Sequence, residues 1–279
     1  AGAVTARPGV VFVATLALLA VPAIRAVKLP WVYDTLASLK SSYGAARGAE
    51  MARRHWPIGE IAPVVVIAHS DATLDAPAWR ELSDRLTRAA SSAAGVTNVR
   101  SLTQPFGKGV SPAANAAVAA FASGKVNGEY LSADRRTMRL QAVLDGPPLT
   151  LESMDAVRRI AQAARDALPA SQAKHVTIQL AGATAEILDV REVTQRDFYL
   201  VAALSLAIIL SIVLALLRDV ILTTFMVAST ALSYLAALGV AYWVFAGWLG
   251  EPGLDWKVEV FLFVVMIAED LDRKSTRLN

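Results

Sequence analysis

Long apolar runs alternate with polar segments along this chain, and the longest charge-free run is FYLVAALSLAIILSIVLALL, Phe198 to Leu217. A helix of these residues would be about 30 Å long at about 1.5 Å per residue, which matches the hydrocarbon core of a bilayer. A buried helix of a soluble protein would keep a polar face, whereas only Ser205 and Ser211 are polar here. The pattern therefore predicts a membrane span.

A second apolar run, Val220–Leu249, begins after only Arg218 and Asp219. This short connection predicts a tight helical hairpin, and Trp243 and Trp248 suit a membrane–water boundary. Small residues also recur at intervals of four in this run, at positions 229, 233, 237 and 241. They either form a face that lets a neighbouring helix approach closely or reflect the general abundance of alanine.

The N-terminal apolar run, Gly9–Val27, is shorter and contains Pro22 and Arg25. A signal peptide is one interpretation, but it requires a small-residue cleavage site, and PAIRAVKLP offers a poor one. We therefore predict a span over residues 1–27 whose outer end holds Arg25 and Lys28, with the signal peptide as the alternative.

Residues 28–197 show the shorter repeats of a water-facing domain. Strand patterns occur in APVVVIAH (62–69), VTNVRSL (96–102), MRLQAVL (138–144) and HVTIQL (175–180). Helices are expected after Asp75 and Thr150 and over the alanine-rich residues 111–123, followed by a break at GKVNGE. From residue 183 onward, TAEILDVREVTQRD is expected to continue as a helix into the run at Phe198.

The order β-α-β, repeated once, is that of a split-βαβ, ferredoxin-like sandwich. The predicted fold class is therefore α+β: a polytopic α-helical membrane protein with a ferredoxin-like extracytoplasmic domain. The composition agrees, since 55% of the 279 residues are hydrophobic and 18% are charged, with a mean hydropathy of +0.45. A membrane part joined to one water-facing domain accounts for both figures.

The distribution of charged residues limits the expected binding partners and indicates the orientation in the membrane. The net charge of +3 arises from 27 basic residues interspersed with 24 acidic ones, so no nucleic-acid partner is expected. There is no cysteine, which excludes disulfides and thiolate metal sites. By the positive-inside rule, Arg7, Arg218 and the bases at 273, 274 and 277 face the cytoplasm, Lys257 faces outward, and residues 28–197 lie outside.

No enzyme motif occurs in the sequence. PFGKGV (105–110) lacks the upstream glycine and the following hydroxyl residue of a P-loop, and neither G-x-S-x-G nor H-E-x-x-H is found. The histidines, His55, His69 and His175, are far apart and are expected at surface or strand-end positions. No enzyme activity, cofactor or metal is therefore predicted, and energy for any transport would come from an ion gradient or a partner.

Three acidic residues, Glu269, Asp270 and Asp272, follow the uninterrupted apolar run Phe261–Ala268. Acids in this position have three interpretations. They form an ion-handling site within a membrane helix, they solvate the end of a helix, or they belong to a sequence that is not native to the protein. The pattern alone leaves these alternatives open.

Three stretches carry a family resemblance: VYDTLASLKSSYGAARGAEMARRHWPIGEIAPVVVI (32–67), GVTNVRSLTQPFG (95–107) and GLDWKVEVFLFVVMIA (253–268). Together with the arrangement of spans, they resemble the second half of MMPL (mycobacterial membrane protein large) transporters of the resistance–nodulation–division superfamily. The resemblance implies the family's seventh span (1–27), a porter domain (28–197) and spans eight to ten (198–268). It also implies a truncated chain, whose parent supplies the N-terminal half and the remaining spans.

The resemblance further implies proton-driven export of lipids or other hydrophobic molecules across the bacterial inner membrane. The implied partners are the lipid bilayer and a hydrophobic or lipid substrate. In the family, a Gly-acid-Asp-Tyr-Asn motif follows the FLFVV-like run, and its Asp-Tyr pair relays protons. The second hypothesis, from another class, is a non-transporting, membrane-anchored extracytoplasmic domain that binds a lipid or a partner.

The chain departs from that motif at the decisive place. Glu269 and Asp270 come two residues early and precede Leu271; without a gap, Asp272 takes the aspartate position and Arg273 the tyrosine position. The candidate relay residues are therefore Glu269, Asp270 and Asp272, with neither alignment restoring the motif.

Two further expectations concern the ends of the matched region. The ending DRKSTRLN resembles translated adapter sequence, so residues 269–279 are expected to be a non-native tail. Tyr33 and Asp34, with the PIGE turn (57–60), are candidates for a substrate path at the entry of the domain, where a role in shaping the fold explains them equally well.

Overall fold

The computed structural model describes residues 8–33, 43–170 and 172–276, and the side chains of these residues except at positions 8, 45 and 267–276. The chain divides into two compact units. We call residues 34–192 the sheet unit, and residues 1–33 with 193–279 the helical unit.

The helices are α1 (Pro8–Ala26), α2 (Gly44–His55), α3 (Ala76–Ser92), α4 (Pro112–Phe121), α5 (Ser123–Tyr130), α6 (Leu151–Asp166), α7 (Ala183–Leu217), α8 (Val220–Tyr242) and α9 (Lys257–Thr276). The strands are β1 (Trp31–Val32), β2 (Val64–Ser70), β3 (Val96–Arg100), β4 (Thr137–Leu144), β5 (Val176–Ala181) and β6 (Leu254–Asp255). A π-helix, Trp243–Trp248, follows α8.

A four-stranded sheet in the order β3-β4-β2-β5 forms the centre of the sheet unit, and every neighbouring pair is antiparallel. In the central register, Val66 lies opposite Leu140 on one side and Leu180 on the other. Alternate residues of β2 and β4 are buried, as the period of two predicts. Val143, at an alternate position, is buried as well, so both faces are covered at the end of β4.

Helices α3 and α6 supply the other half of this core. Their buried faces include Trp79, Leu82 and Leu86 from α3, and Met154 and Ile160 from α6, at the spacing of an amphipathic helix. Both helices begin at capped residues: Asp75 Oδ1 accepts from the Ala78 amide at 2.8 Å, and Thr150 Oγ1 accepts from the Ser153 amide at 3.2 Å. The predicted β-α-β order is therefore present twice.

The GKVNGE segment was predicted to break the helical pattern, and this prediction is wrong. It lies within α5, although glycine is a poor helix former. Val126 and Tyr130 are buried one turn apart, and the Tyr130 hydroxyl donates to the Pro105 carbonyl at 3.1 Å. Tertiary packing of these two side chains outweighs the local preference of Gly124 and Gly128.

Replacing Asn115 with alanine is expected to destabilise the sheet unit by about 2 kcal/mol, because Asn115 is buried and its loss leaves buried backbone groups unpaired. Its side chain accepts from the Phe106 amide at 3.1 Å and donates to the Gly107 and Val110 carbonyls at 2.9 and 3.2 Å. Amide hydrogen exchange across residues 105–111 would measure the loss. The matched change at exposed Asn127 should alter it little, and equal effects would contradict the assignment.

Three helical segments in the described residues are long and apolar enough to cross a membrane: Gly9–Ala26, Ala183–Leu217 and Val220–Trp248. Helix α7 is unbroken over 35 residues, as the sequence predicts for residues 183–217. It ends two residues before α8, where Arg218 has a φ of 52° and Asp219 Oδ1 caps α8 by accepting from the Leu222 amide at 3.0 Å.

Helices α1 and α8 approach each other closely at Gly239. A Cβ atom at that position would stand 2.0 Å from the Pro22 carbonyl oxygen, and the neighbouring Ala236 is also buried. Of the small residues at positions 229 to 241, Ser229 is exposed and the other three are partly buried, and Ala241 packs against a cluster that includes Ala26 of α1. Only glycine fits at position 239, because the Pro22 carbonyl of α1 lies so close. The four-residue spacing of small residues does not indicate this contact.

Candidate functional site

The first part of the candidate site is the pairing of strands β1 and β6 in the helical unit. The two short strands are parallel, with Trp31 opposite Leu254 and Val32 opposite Asp255. Gly253 makes this pairing possible, because a Cβ there would stand 2.4 Å from the Pro30 carbonyl oxygen. The ladder fixes the end of α1 beside the start of α9.

Tyr33, the first candidate for a substrate path, lies at the end of this ladder. Its side chain is 5% exposed, and its ring stacks on Trp256 with the centroids 6.2 Å apart and the planes inclined by 14°. The Trp256 amide donates to the Val32 carbonyl at 3.4 Å. Tyr33 is thus part of the packing of this end of the unit. Asp34, the second candidate, lies outside the described residues.

An aromatic cluster connects α7, α8 and α9 immediately beyond the ladder. The Phe263 ring contacts Phe198 and Tyr234 edge-on, with centroid distances of 5.4 and 5.7 Å, a preferred geometry for aromatic pairs. The Tyr234 hydroxyl donates to the Glu259 carbonyl oxygen at 3.0 Å. Tyr234 therefore anchors the first turn of α9 to the middle of α8.

Glu259 is the acidic residue that sequence reasoning overlooked. It lies in the first turn of α9, one turn before Phe263, and is half-buried. The sequence signal for this residue is the string KVEVF, in which one acid stands between apolar residues. From this string, only the charge of Lys257 entered the predicted orientation. A carboxylate in such surroundings is costly when ionised and is a candidate for proton binding.

Glu269, Asp270 and Asp272 lie near the far end of α9, and their side chains are not among those described. On a helix, residues 269 and 272 share a face, whereas residue 270 is turned by about 100°. Ten residues of helix separate Glu259 from Glu269, which corresponds to about 15 Å along the axis. The two acidic positions of α9 are therefore too far apart to form one site.

Several hydroxyl groups of the candidate spans are satisfied within their own helices. Ser211 donates to the Ala207 carbonyl at 2.8 Å, Thr223 to the Asp219 carbonyl at 2.7 Å, and Thr230 to the Met226 carbonyl at 3.1 Å. Among the side chains that the structure describes, which exclude those of residues 267–276, no cluster of three histidine, cysteine or acidic residues could hold a metal ion. The hydroxyl of Tyr234 differs, because it reaches another helix through the main-chain carbonyl of Glu259.

The PIGE turn belongs to the packing of the sheet unit. A Cβ at Gly59 would stand 1.9 Å from the Leu144 carbonyl oxygen, so only glycine fits against the end of β4. Glu60 accepts from Arg100 of β3 at 2.6 Å, and both side chains are about one-quarter to one-third exposed, at 22% and 32%. The close backbone contact and the ion pair assign this turn a structural role.

Known proteins similar to this chain include a membrane protein and two lipid exporters. The MMPL family profile matches residues 36–272. A membrane protein of Streptomyces coelicolor is 26% identical over 241 residues, which cover 86% of this chain and 25% of the relative. The sulfolipid-1 exporter MmpL8 of Mycobacterium tuberculosis is 30% identical over 148 residues, covering 53% of this chain and 14% of that protein.

The acyltrehalose exporter MmpL10 of the same organism is 31% identical over 148 residues, with 53% of this chain and 15% of that protein covered. The chain thus spans about a quarter or less of the length of the curated relatives it matches. The family profile, in contrast, extends from residue 36, after β1, through the sheet unit into α9. On this evidence the chain belongs to the MMPL family.

Proposed function

We propose that this chain is part of a proton-driven exporter of lipids or other hydrophobic molecules in a bacterial inner membrane. The observation that carries the proposal is the family match over residues 36–272. The names of two relatives, exporters of sulfolipid-1 and of acyltrehalose, support a lipid as the cargo. The chain's small share of its relatives' length supports a parent that supplies a second half and further spans.

The sheet unit is proposed as the core of a ferredoxin-like porter domain over residues 28–197, outside the cytoplasm. Its strand order and fully antiparallel pairing support this, because two β-α-β units interleaved in one sheet produce that order. Residues 1–27 correspond to the family's span seven, and residues 198–268 to spans eight to ten.

The orientation is supported by contacts within the helical unit. Arg25 Nη2 donates to the Tyr242 hydroxyl at 3.2 Å, and its guanidinium carbon lies 4.9 Å from the centre of that ring. The ends of α1 and α8 that hold these residues therefore coincide, and Arg218 lies at the opposite end of α8. Arg218 on the cytoplasmic side then places Arg25 and Lys257 on the outer side.

Proton coupling is assigned to the position where the family carries its Asp-Tyr pair. The acids at 269, 270 and 272 do not reproduce that pair, so we propose that the parent protein has its natural residues in place of this tail. The same departure is what favours the second candidate, an anchored extracytoplasmic domain that binds lipid or a partner without transporting it.

Sequencing the source locus outward from the coding region of residues 198–249 separates the two candidates. Continuation past Ala268 into Gly-acid-Asp-Tyr-Asn, with a related half upstream, is the expected result. A gene that ends at Asn279 would remove the relay and favour the anchored domain.

The recovered parent, reconstituted in vesicles, is expected to take up protons when lipid cargo is present, and an Asp→Asn change in the motif should abolish this. No proton flux from the intact parent would refute the proposal. The 279-residue chain alone is expected to show no cargo-dependent proton uptake, because half of the pathway is missing.

A further inference from the structure

The sheet unit contains a cavity of about 220 Å³ that the transport proposal does not use. It lies between the start of α3, helix α5 and the turn that leads into β4. Its lining includes Trp79, Arg80, Leu102, Asn127, Leu131 and Arg135. Apolar residues and two arginines therefore line one space.

Arg135 is presented to this cavity from a fixed backbone. Its φ of 53° is unusual for a residue other than glycine, and two hydrogen bonds hold it there. The Trp79 indole donates to the Arg135 carbonyl at 2.9 Å, and the Arg135 amide donates to the Ser132 carbonyl at 3.0 Å. A ligand-binding side chain gains from such support, because less freedom is lost when the ligand binds.

The cavity has a surplus of positive charge. No acidic side chain is among its lining residues, and within the described part of the chain no ion pair engages Arg80 or Arg135. Of the acids close by in sequence, Glu81 pairs with Arg85 and Glu129 with Arg139, and Asp84, one turn after Arg80, is outside the lining. Two more are held by their own turns. Asp75 caps α3, and Asp134 accepts from the Ser132 hydroxyl and the Arg136 amide.

The hydrogen bond from Ser132 lowers the pKa of Asp134, so this carboxylate remains ionised and occupied within the turn. The arginines, in contrast, are exposed and available to a ligand. Guanidinium groups bind phosphate and sulfate oxygens through paired, charge-assisted hydrogen bonds. The charge of the cavity therefore favours an oxyanion.

The size of the cavity limits what else it holds. Pockets for drug-sized ligands enclose roughly 300–1,000 Å³, so 220 Å³ accommodates a head group and excludes a whole lipid. We propose that this cavity binds a phosphate or sulfate group, held by Arg80 and Arg135, with Leu102 and Leu131 contacting the carbon atoms next to it.

Binding to the full chain in an uncharged detergent tests the proposal by titration calorimetry. The probes are dihexanoyl phosphatidic acid, the uncharged dihexanoylglycerol, inorganic phosphate and inorganic sulfate. Phosphatidic acid is expected to bind and dihexanoylglycerol is not. Equal affinity for the free ions would identify a free oxyanion as the ligand, whereas selective binding of phosphatidic acid would identify a lipid head group.

Two pairs of variants localise the site. The double change R80Q/R135Q is expected to weaken binding at least about tenfold. The control R88Q/R136Q removes the same charge from two residues outside the lining, and we expect it to leave binding unchanged. Gly128→Leu should also block binding: Gly128 lines the cavity, and no heavy atom lies within 4 Å of the added Cβ.

The control for that change is Gly124→Leu in the same helix, which is equally open and lies outside the lining. Absence of binding by phosphatidic acid and by both ions, or equal losses in variants and controls, would overturn the proposal. The assay measures binding alone, so its failure and the failure of the transport proposal are distinguishable.

Discussion

Replacing Gly239 with valine is expected to separate α1 from α8 and to destabilise the helical unit by about 3 kcal/mol. A Cβ at this position would stand 2.0 Å from the Pro22 carbonyl oxygen. Overpacking typically costs about 1–3 kcal/mol, and the upper end applies because the obstructing atom belongs to the backbone and cannot rotate away.

Cross-linking measures this separation directly, because the chain has no cysteine of its own. The rings of Phe12 and Phe225 are 5.8 Å apart, so cysteines at both positions should be joined rapidly by a short bis-maleimide. Gly239→Val is expected to reduce the rate at least about tenfold. The control is Gly247→Val, because Gly247 has no heavy atom within 4 Å of an added Cβ. An unchanged rate in Gly239→Val would contradict the close approach.

Replacing Trp79 with alanine is expected to destabilise the sheet unit by about 3–5 kcal/mol, the usual range for deleting a buried tryptophan. The side chain is fully buried, and its indole is the hydrogen-bond donor to the Arg135 carbonyl. The change leaves a large void beside β4 and an unpaired carbonyl in the turn. The core and the proposed anion site are therefore both affected.

Hydrogen exchange of the β2 and β4 amides in the full chain reports this loss. Since each 1.4 kcal/mol is a tenfold change in an equilibrium constant, exchange should accelerate at least about 100-fold. Trp56 is 61% exposed, so Trp56→Ala should change the rates less than about threefold. Similar rates in both variants would show that Trp79 does not support the sheet. The milder Trp79→Phe keeps most of the apolar volume and removes only the indole donor.

Elements with a strong repeating pattern were predictable from the sequence. The long apolar run of α7, the two-residue connection at Arg218 and Asp219, and the core faces of α3 and α6 are all defined by spacing along one element. Such patterns depend on the local geometry of helices and strands, and on nothing farther away.

Features that depend on a distant partner were not predictable. Helix α5 depends on Tyr130 reaching Pro105, and the contact at Gly239 depends on where Pro22 places its carbonyl. The β1–β6 ladder contains two residues from each strand, which is too short for any periodicity. Glu259 was missed for a related reason, since a single acid beside Lys257 resembles an ordinary helix start until Tyr234 and Phe263 are placed around it.

The β1–β6 ladder also has a consequence for synthesis. Trp31 cannot pair with Leu254 until Leu254 emerges from the ribosome, more than 200 residues later. At roughly 5–20 residues per second, the delay is on the order of 10–45 s. Until then α1 must remain in the bilayer without α8, and Arg25 without Tyr242. These contacts of α1 are therefore made late in synthesis, and the ladder cannot form before β6 has followed α8 out of the ribosome.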